Sequence, residues 1–185
     1  MIPNAKWIRP AQTTGDVCPV YSKQFSFFSS PNQSLSSVAH ATLSVTAMGV
    51  YEASLNGKRI GDFVLAPGWT SYRHRLQVQT YDVTELLSSE NELSILVGKG
   101  WYRSPLAWPD EAHRQQKAQI PAGLIALLTI TYTDGSTQLL PTGADWSAYE
   151  SNVRFSEIYD GETYDAAFDP SSAPIAIAEF DGPSD

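Results

Sequence analysis

The run Glu157-Ile158-Tyr159-Asp160-Gly161-Glu162-Thr163-Tyr164-Asp165 is the densest acidic stretch of the chain, with four carboxylates in nine residues. Three chemistries suit it. Two carboxyl groups about 6.5–9.5 Å apart serve as acid and base in inverting glycoside hydrolysis. Asp160, Glu162 and Asp165 could ligate calcium, which takes several carboxylate and carbonyl oxygens. The same carboxylates could also cap backbone N–H groups and pair with Arg154. Capping ranks first and a calcium or sugar contact second. Catalysis ranks last, because nothing in the sequence supplies a deep apolar cleft to raise one carboxyl pKa.

Aromatic residues form the second candidate set. Trp69, Tyr72, Trp101, Tyr102, Trp108 and Trp146 fall near expected turns rather than within strands. A ring there can stack on the C–H face of a sugar while neighbouring polar groups fix the hydroxyls. It can equally close the open end of a core, and that role comes first for Trp69 and Trp101. Trp108, in the polar stretch SPLAWPDEAHRQQK, is the best candidate for an exposed ring. The expected sugar contacts are therefore Trp101, Trp108, Asp160 and Glu162, with Asp160, Glu162 and Asp165 as the calcium donors.

Other chemistries find little support. His40, His74 and His113 share no spacing typical of a metal pair, and Cys18 has no thiol partner. No nucleophile elbow or phosphate-binding loop occurs, and Gly98-Lys99-Gly100 reads as a turn ending a strand. A net charge of −8 opposes nucleic acid and anionic membrane as partners, which need a basic surface. No apolar run approaches the ~20 residues that cross a bilayer, and the opening MIPNAKWIRP lacks a signal-peptide core. A cytoplasmic location is the expectation.

The elements that must position these residues are nearly all strands. In SVAHATLSVTA, Ala39, Ala41, Leu43, Val45 and Ala47 point one way and the polar residues the other, the period of a half-buried strand. Tyr51, Ala53 and Leu55 continue the alternation up to Asn56-Gly57, a strong type I′ hairpin signal. LQVQTYDV, ELSILVG and GLIALLTITYT follow, and the last turns at Asp134-Gly135 into STQLLPT. Asp82-Val83-Thr84-Glu85 resembles a capping box for one or two helical turns. Many short strands without strand–helix alternation predict an all-β antiparallel sandwich of jelly-roll type. Residues 1–33 read as an arm with one strand at Gln24–Ser29, residues 34–168 as the sandwich, and the proline-bearing residues 169–185 as a linker.

Three blocks, GVYEASLNGKRIGDFVLAPGWTSYRHRLQVQTYDVTELL, ENELSILVGKGWYRS and FSEIYDGETYDA, together resemble the amino-terminal domain of bacterial α-L-rhamnosidases across approximately residues 48–168. The resemblance implies a galactose-binding-like β-sandwich. It also implies a helical barrel elsewhere in the parent chain that carries the catalytic carboxylates and releases terminal α-L-rhamnose with inversion. This stretch alone is then not an enzyme. Its implied partners are that barrel and rhamnose-containing glycans, some related domains binding rhamnose with calcium. An uncovered docking surface would leave homodimerisation open. Two positions depart from the family pattern: Ser104 stands where glycine is usual, and Ala167 where arginine is common. The first is expected to reshape the loop after Trp101, since serine resists positive φ. The second removes an expected partner of the acidic run.

Overall fold

A computed structural model describes residues 2–27, 34–72, 74–106, 110–170 and 173–183. The strands are β1 (Trp7–Pro10), β2 (Pro19–Ser26), β3 (Val38–Ala47), β4 (Val50–Leu55), β5 (Lys58–Arg59), β6 (Gln79–Asp82) and β7 (Glu90–Gly98). Two short helices follow, α1 (Gly100–Arg103) and α2 (Glu111–Ala118). The remaining strands are β8 (Leu124–Tyr132), β9 (Thr137–Pro141), β10 (Ser147–Glu150), β11 (Val153–Glu157), β12 (Gly161–Tyr164) and β13 (Ile177–Phe180).

One sheet runs β13-β1-β8-β3-β6, with β9 also paired to β8, and the other runs β10-β2-β7-β4-β5. Every pairing in both is antiparallel. The all-β sandwich expected from the alternation is what forms. Leu43 and Val45 of β3, Leu128 and Ile130 of β8, Leu55 of β4 and Ile95 of β7 are fully buried in the same apolar interior. Ala41 and Ala47 also face inward, whereas Ala39 is exposed beside a register irregularity between Val38 and His40. Asn56 and Gly57 take φ of 55° and 73°, the left-handed pair that a type I′ hairpin between β4 and β5 requires.

Four expectations change. The first residues hold two strands rather than one, β1 in one sheet and β2 in the other. The segment read as a linker adds β13, which pairs with β1 from Trp7↔Phe180 to Pro10↔Ile177. Both strands have four residues and little alternation, and their partners lie far apart in sequence, so a local pattern does not reveal them. The stretch after Trp101 holds α2, whose side chains include no buried residue. Its cap is visible: Asp110 accepts a hydrogen bond from the His113 N–H at 2.9 Å. The expected capping box becomes a single 3-10 turn at Thr84–Leu86, held by Asp82, whose Oδ1 accepts from the Thr84 N–H and hydroxyl.

Among the described residues, no helix is long and apolar enough to cross a membrane.

Core position and surface position should separate cleanly in stability. Leu128→Ala, at 1% exposure on β8, should cost about 2–5 kcal/mol. Leu139→Ala, at 42% exposure on β9, should cost within about 0.5 kcal/mol. Urea unfolding with unchanged m-value measures both, and equal losses would mean that the core is misassigned.

Candidate functional site

The loop from Gly61 to Val78 follows β5 and carries several exposed apolar side chains, among them Phe63, Val64, Leu65 and Trp69. Its backbone is pinned to β4 by the Tyr51 N–H donating to the Ala66 carbonyl at 2.7 Å. Leu65 holds φ at 59°, a left-handed conformation uncommon for a residue with its side chain. Val64 and Leu65 line a groove of about 410 Å³ together with Glu162 and Tyr164 of β12, Cys18 and Leu96. Burial pushes the Cys18 thiol up to about 11, so it is protonated at neutral pH and no nucleophile.

Beside this loop, Trp101 of α1 stacks on Trp69 with ring centroids 6.0 Å apart and planes 15° from parallel. Trp69 is 62% exposed, so the core role expected for it is wrong, while Trp101 is half-buried. Tyr72 and Tyr102 pack 4.6 Å apart next to them, and burial pushes the Tyr72 hydroxyl up to about 12. Trp146 lies in the core with its indole N–H donating to the Pro141 carbonyl. Trp108 lies outside the described residues.

The acidic run forms the two-stranded hairpin of β11 and β12. Its buried carboxylate is Glu157, whose Oε2 accepts from the backbone N–H groups of Tyr159 and Asp160 at 2.6 and 2.8 Å. Burial alone would raise the Glu157 pKa. Hydrogen bonding from the Ser104 hydroxyl and from the N–H groups of Asp160, Tyr159 and Ile158 outweighs it and holds the carboxyl below its ordinary range. The Ser104 contribution is the weakest in geometry, since neither its Oγ nor Glu157 Oε1 completes a full hydrogen bond. Asp165 Oδ1 accepts from the Ala167 N–H. Arg154 pairs with Glu150 at 2.8 Å and lies over the Phe168 ring, so the acidic run does not have it as its partner.

The expected sugar contacts are only partly gathered. Glu162 lines the groove, Asp160 sits at the hairpin turn, and Trp101 has one ring face covered by Trp69. Among the described residues, no three Asp, Glu, His or Cys side chains converge as metal ligands, so Asp160, Glu162 and Asp165 do not form a preassembled calcium cage. The residue that sequence reasoning underweighted is Glu157. Its spacing matches that of its neighbours, and only burial distinguishes it.

Residues 36–172 match the family model described as the α-L-rhamnosidase N-terminal domain. The chain belongs to this family. It is 42% identical over 130 residues to an α-L-rhamnosidase of Streptomyces avermitilis, a match covering 70% of this chain and 12% of that protein. The crystal structure of native α-L-rhamnosidase from Aspergillus terreus superposes with a TM-score of 0.83 and 32% identity over 98% of this chain and 22% of the other. The Streptomyces avermitilis α-L-rhamnosidase complexed with L-rhamnose superposes with a TM-score of 0.75 and 34% identity over 89% of this chain and 16% of the other. The chain thus spans about a fifth or less of the length of these relatives.

In this α-L-rhamnosidase N-terminal domain the serine at position 104 needs no special backbone. Ser104 has φ of −79° and ψ of 146°, an extended backbone that serine adopts freely, so its resistance to positive φ does not come into play. It is fully buried beside Glu157, though neither its Oγ nor Glu157 Oε1 completes a hydrogen bond.

Glu157→Gln should destabilise the chain by about 1–3 kcal/mol at pH 7, because a buried acceptor of two N–H groups loses its charge. A depressed folded pKa means that the Glu157 contribution is present above the ordinary carboxyl value of 4.5 and lost as pH falls through the folded value. The gap between wild type and Glu157→Gln in urea midpoint should therefore narrow from pH 7 to pH 3. A gap that widened on acidification would contradict the assignment.

Proposed function

We propose that this chain is a non-catalytic accessory domain of an α-L-rhamnosidase whose full-length form hydrolyses terminal α-L-rhamnose from glycosides. Its Val64–Leu65–Tyr164 face docks on the catalytic helical barrel of the same parent chain. One observation carries the reading. Val64, Leu65 and Tyr164 are 65%, 43% and 61% exposed and line one groove, on a chain that spans 12% to 22% of its relatives. Apolar side chains gathered in this way mark an interaction surface. The absent partner of greatest local concentration is the remainder of the same polypeptide. A second copy of this chain is the competing occupant.

The carboxylates favour the non-catalytic part of the reading. A general acid in glycoside hydrolysis needs a raised pKa, whereas Glu157 is held low and engaged with backbone N–H groups. Asp165 is likewise engaged with Ala167.

A second reading rests on the exposed Trp69 ring and its Trp101 neighbour. These form an aromatic platform on which rhamnose of a glycan could stack, with Glu162 and Asp160 as hydroxyl contacts. Calorimetric titration with L-rhamnose, with and without calcium, tests it. Saturable heat that Trp69→Ala abolishes would support this platform, and heat abolished by chelator would add calcium. A flat titration leaves docking alone.

For docking itself, Val64→Asp together with Leu65→Asp should change the stability of the isolated chain by within about 0.5 kcal/mol per site, as expected for exposed positions. In the full-length parent the same pair should lower the midpoint for loss of aryl α-L-rhamnoside hydrolysis on heating by several degrees. An unchanged midpoint would remove this face as the docking surface.

A further inference from the structure

A second recess, to which Arg103 of α1 contributes, has a different character. It encloses about 270 Å³ and is lined by Arg9 of β1, Arg103 at the end of α1, and the uncharged polar side chains of Gln12, Thr13, Thr14 and Gln119. Aliphatic and prolyl side chains of the segment before β8, among them Ile120 and Pro121, complete the wall. Among the described residues, no carboxylate lines it.

Its position is fixed from several sides. The Arg103 Nε–H donates to the Ile120 carbonyl at 3.1 Å, which orients the guanidinium. The Tyr21 hydroxyl donates to the Ala122 carbonyl, tying the same segment to β2. Lys117 of α2 donates to the Tyr102 carbonyl at 2.9 Å and ties α2 to α1. Asp16 of the flanking loop lends its charge to Arg103 from a distance but is itself paired with Lys99 at 2.6 Å. Neither Arg9 nor Arg103 makes an ion pair among the described residues. Burial of Arg103 works against its charge, yet an arginine keeps its proton in a protein. In a chain of net charge −8, two arginines facing one recess with no acid form a local cationic site.

A half-buried cation without a counter-charge is costly unless a ligand supplies one. A guanidinium fork matches a carboxylate in two parallel hydrogen bonds. The four amide and hydroxyl side chains around it match the hydroxyls of a sugar ring rather than a bare anion, and the volume approaches that of small-ligand pockets. We propose that this recess binds a carboxylated sugar, a uronic acid residue of a glycan, through Arg9 and Arg103. The site is separate from the groove of the docking face and shares no lining residue with it.

Titration of the 185-residue chain with sodium D-galacturonate, followed by amide chemical shifts, tests the proposal. Saturable shifts should appear in the 12–15 loop and at 118–122. Neutral D-galactose and sodium acetate should each bind at least roughly tenfold more weakly, as expected when one charge-assisted contact or the ring hydroxyls are lost. Arg9→Gln, at an exposed position that should leave the fold intact, should weaken galacturonate binding by roughly tenfold or more. Arg103→Lys keeps the charge but loses the fork and should weaken it similarly. Acetate or sulfate binding as tightly as galacturonate would overturn the proposal by showing a plain cation pair. Absence of saturable shifts, or binding indifferent to Arg9→Gln, would overturn it as well.

Discussion

Where β4 begins and β7 ends, the two backbones come so close that no side chain fits between them. A Cβ on Gly49 would lie 2.1 Å from the Gly98 carbonyl oxygen, and Gly49 itself has φ of 152°. Two residues on, a Cβ on Gly100 would lie 2.5 Å from Val50 Cγ1. This contact lets the chain leave β7 and enter α1 directly against β4. Trp101, Arg103 and Ser104 each take their places from that turn. Trp101 reaches the Trp69 loop, Arg103 lines the cationic recess, and Ser104 lies beside Glu157 of the β11–β12 hairpin. Substituting any residue with a side chain at Gly49 would force these features apart together.

The electrostatics of this end follow from the same arrangement. The chain is acidic overall, yet its buried charges are few and each has a distinct solution. Glu157 is held ionised by N–H groups of its own hairpin, a local arrangement that fixes the turn before β12. Lys99 bridges to Asp16 and lies over the Phe155 ring, fastening the loop before β2 to β11. Arg103 has a carbonyl contact and, among the described residues, no ion pair, its acidic neighbour Asp16 being bridged to Lys99.

Much of the sandwich was legible because its central strands bury one face. The alternation in β3 and β4, the Asn56-Gly57 turn and the Asp134-Gly135 turn all report a local preference that the tertiary structure keeps. β1 and β13 escaped notice because their pairing joins residues about 170 positions apart. α2 escaped because its residues have no apolar stripe to mark it; the helix rests on the Asp110 cap and a Gln115–Glu111 hydrogen bond. Trp101 and Glu162 stand out by their residue types, but the Trp69 stack that covers one face of Trp101 depends on a residue 32 positions away. Arg9 and Arg103 carry no shared motif, and only the folded chain brings them to one recess.

The central claim is that Val64, Leu65 and Tyr164 are covered by the remainder of a parent rhamnosidase chain. Amide hydrogen exchange of the loop from Gly61 to Val78 in the isolated chain and in the full-length parent measures this directly. The account predicts marked slowing at Val64 and Leu65 in the parent, with the core amides of β3 and β8 unchanged. Identical exchange of the loop in both would contradict it.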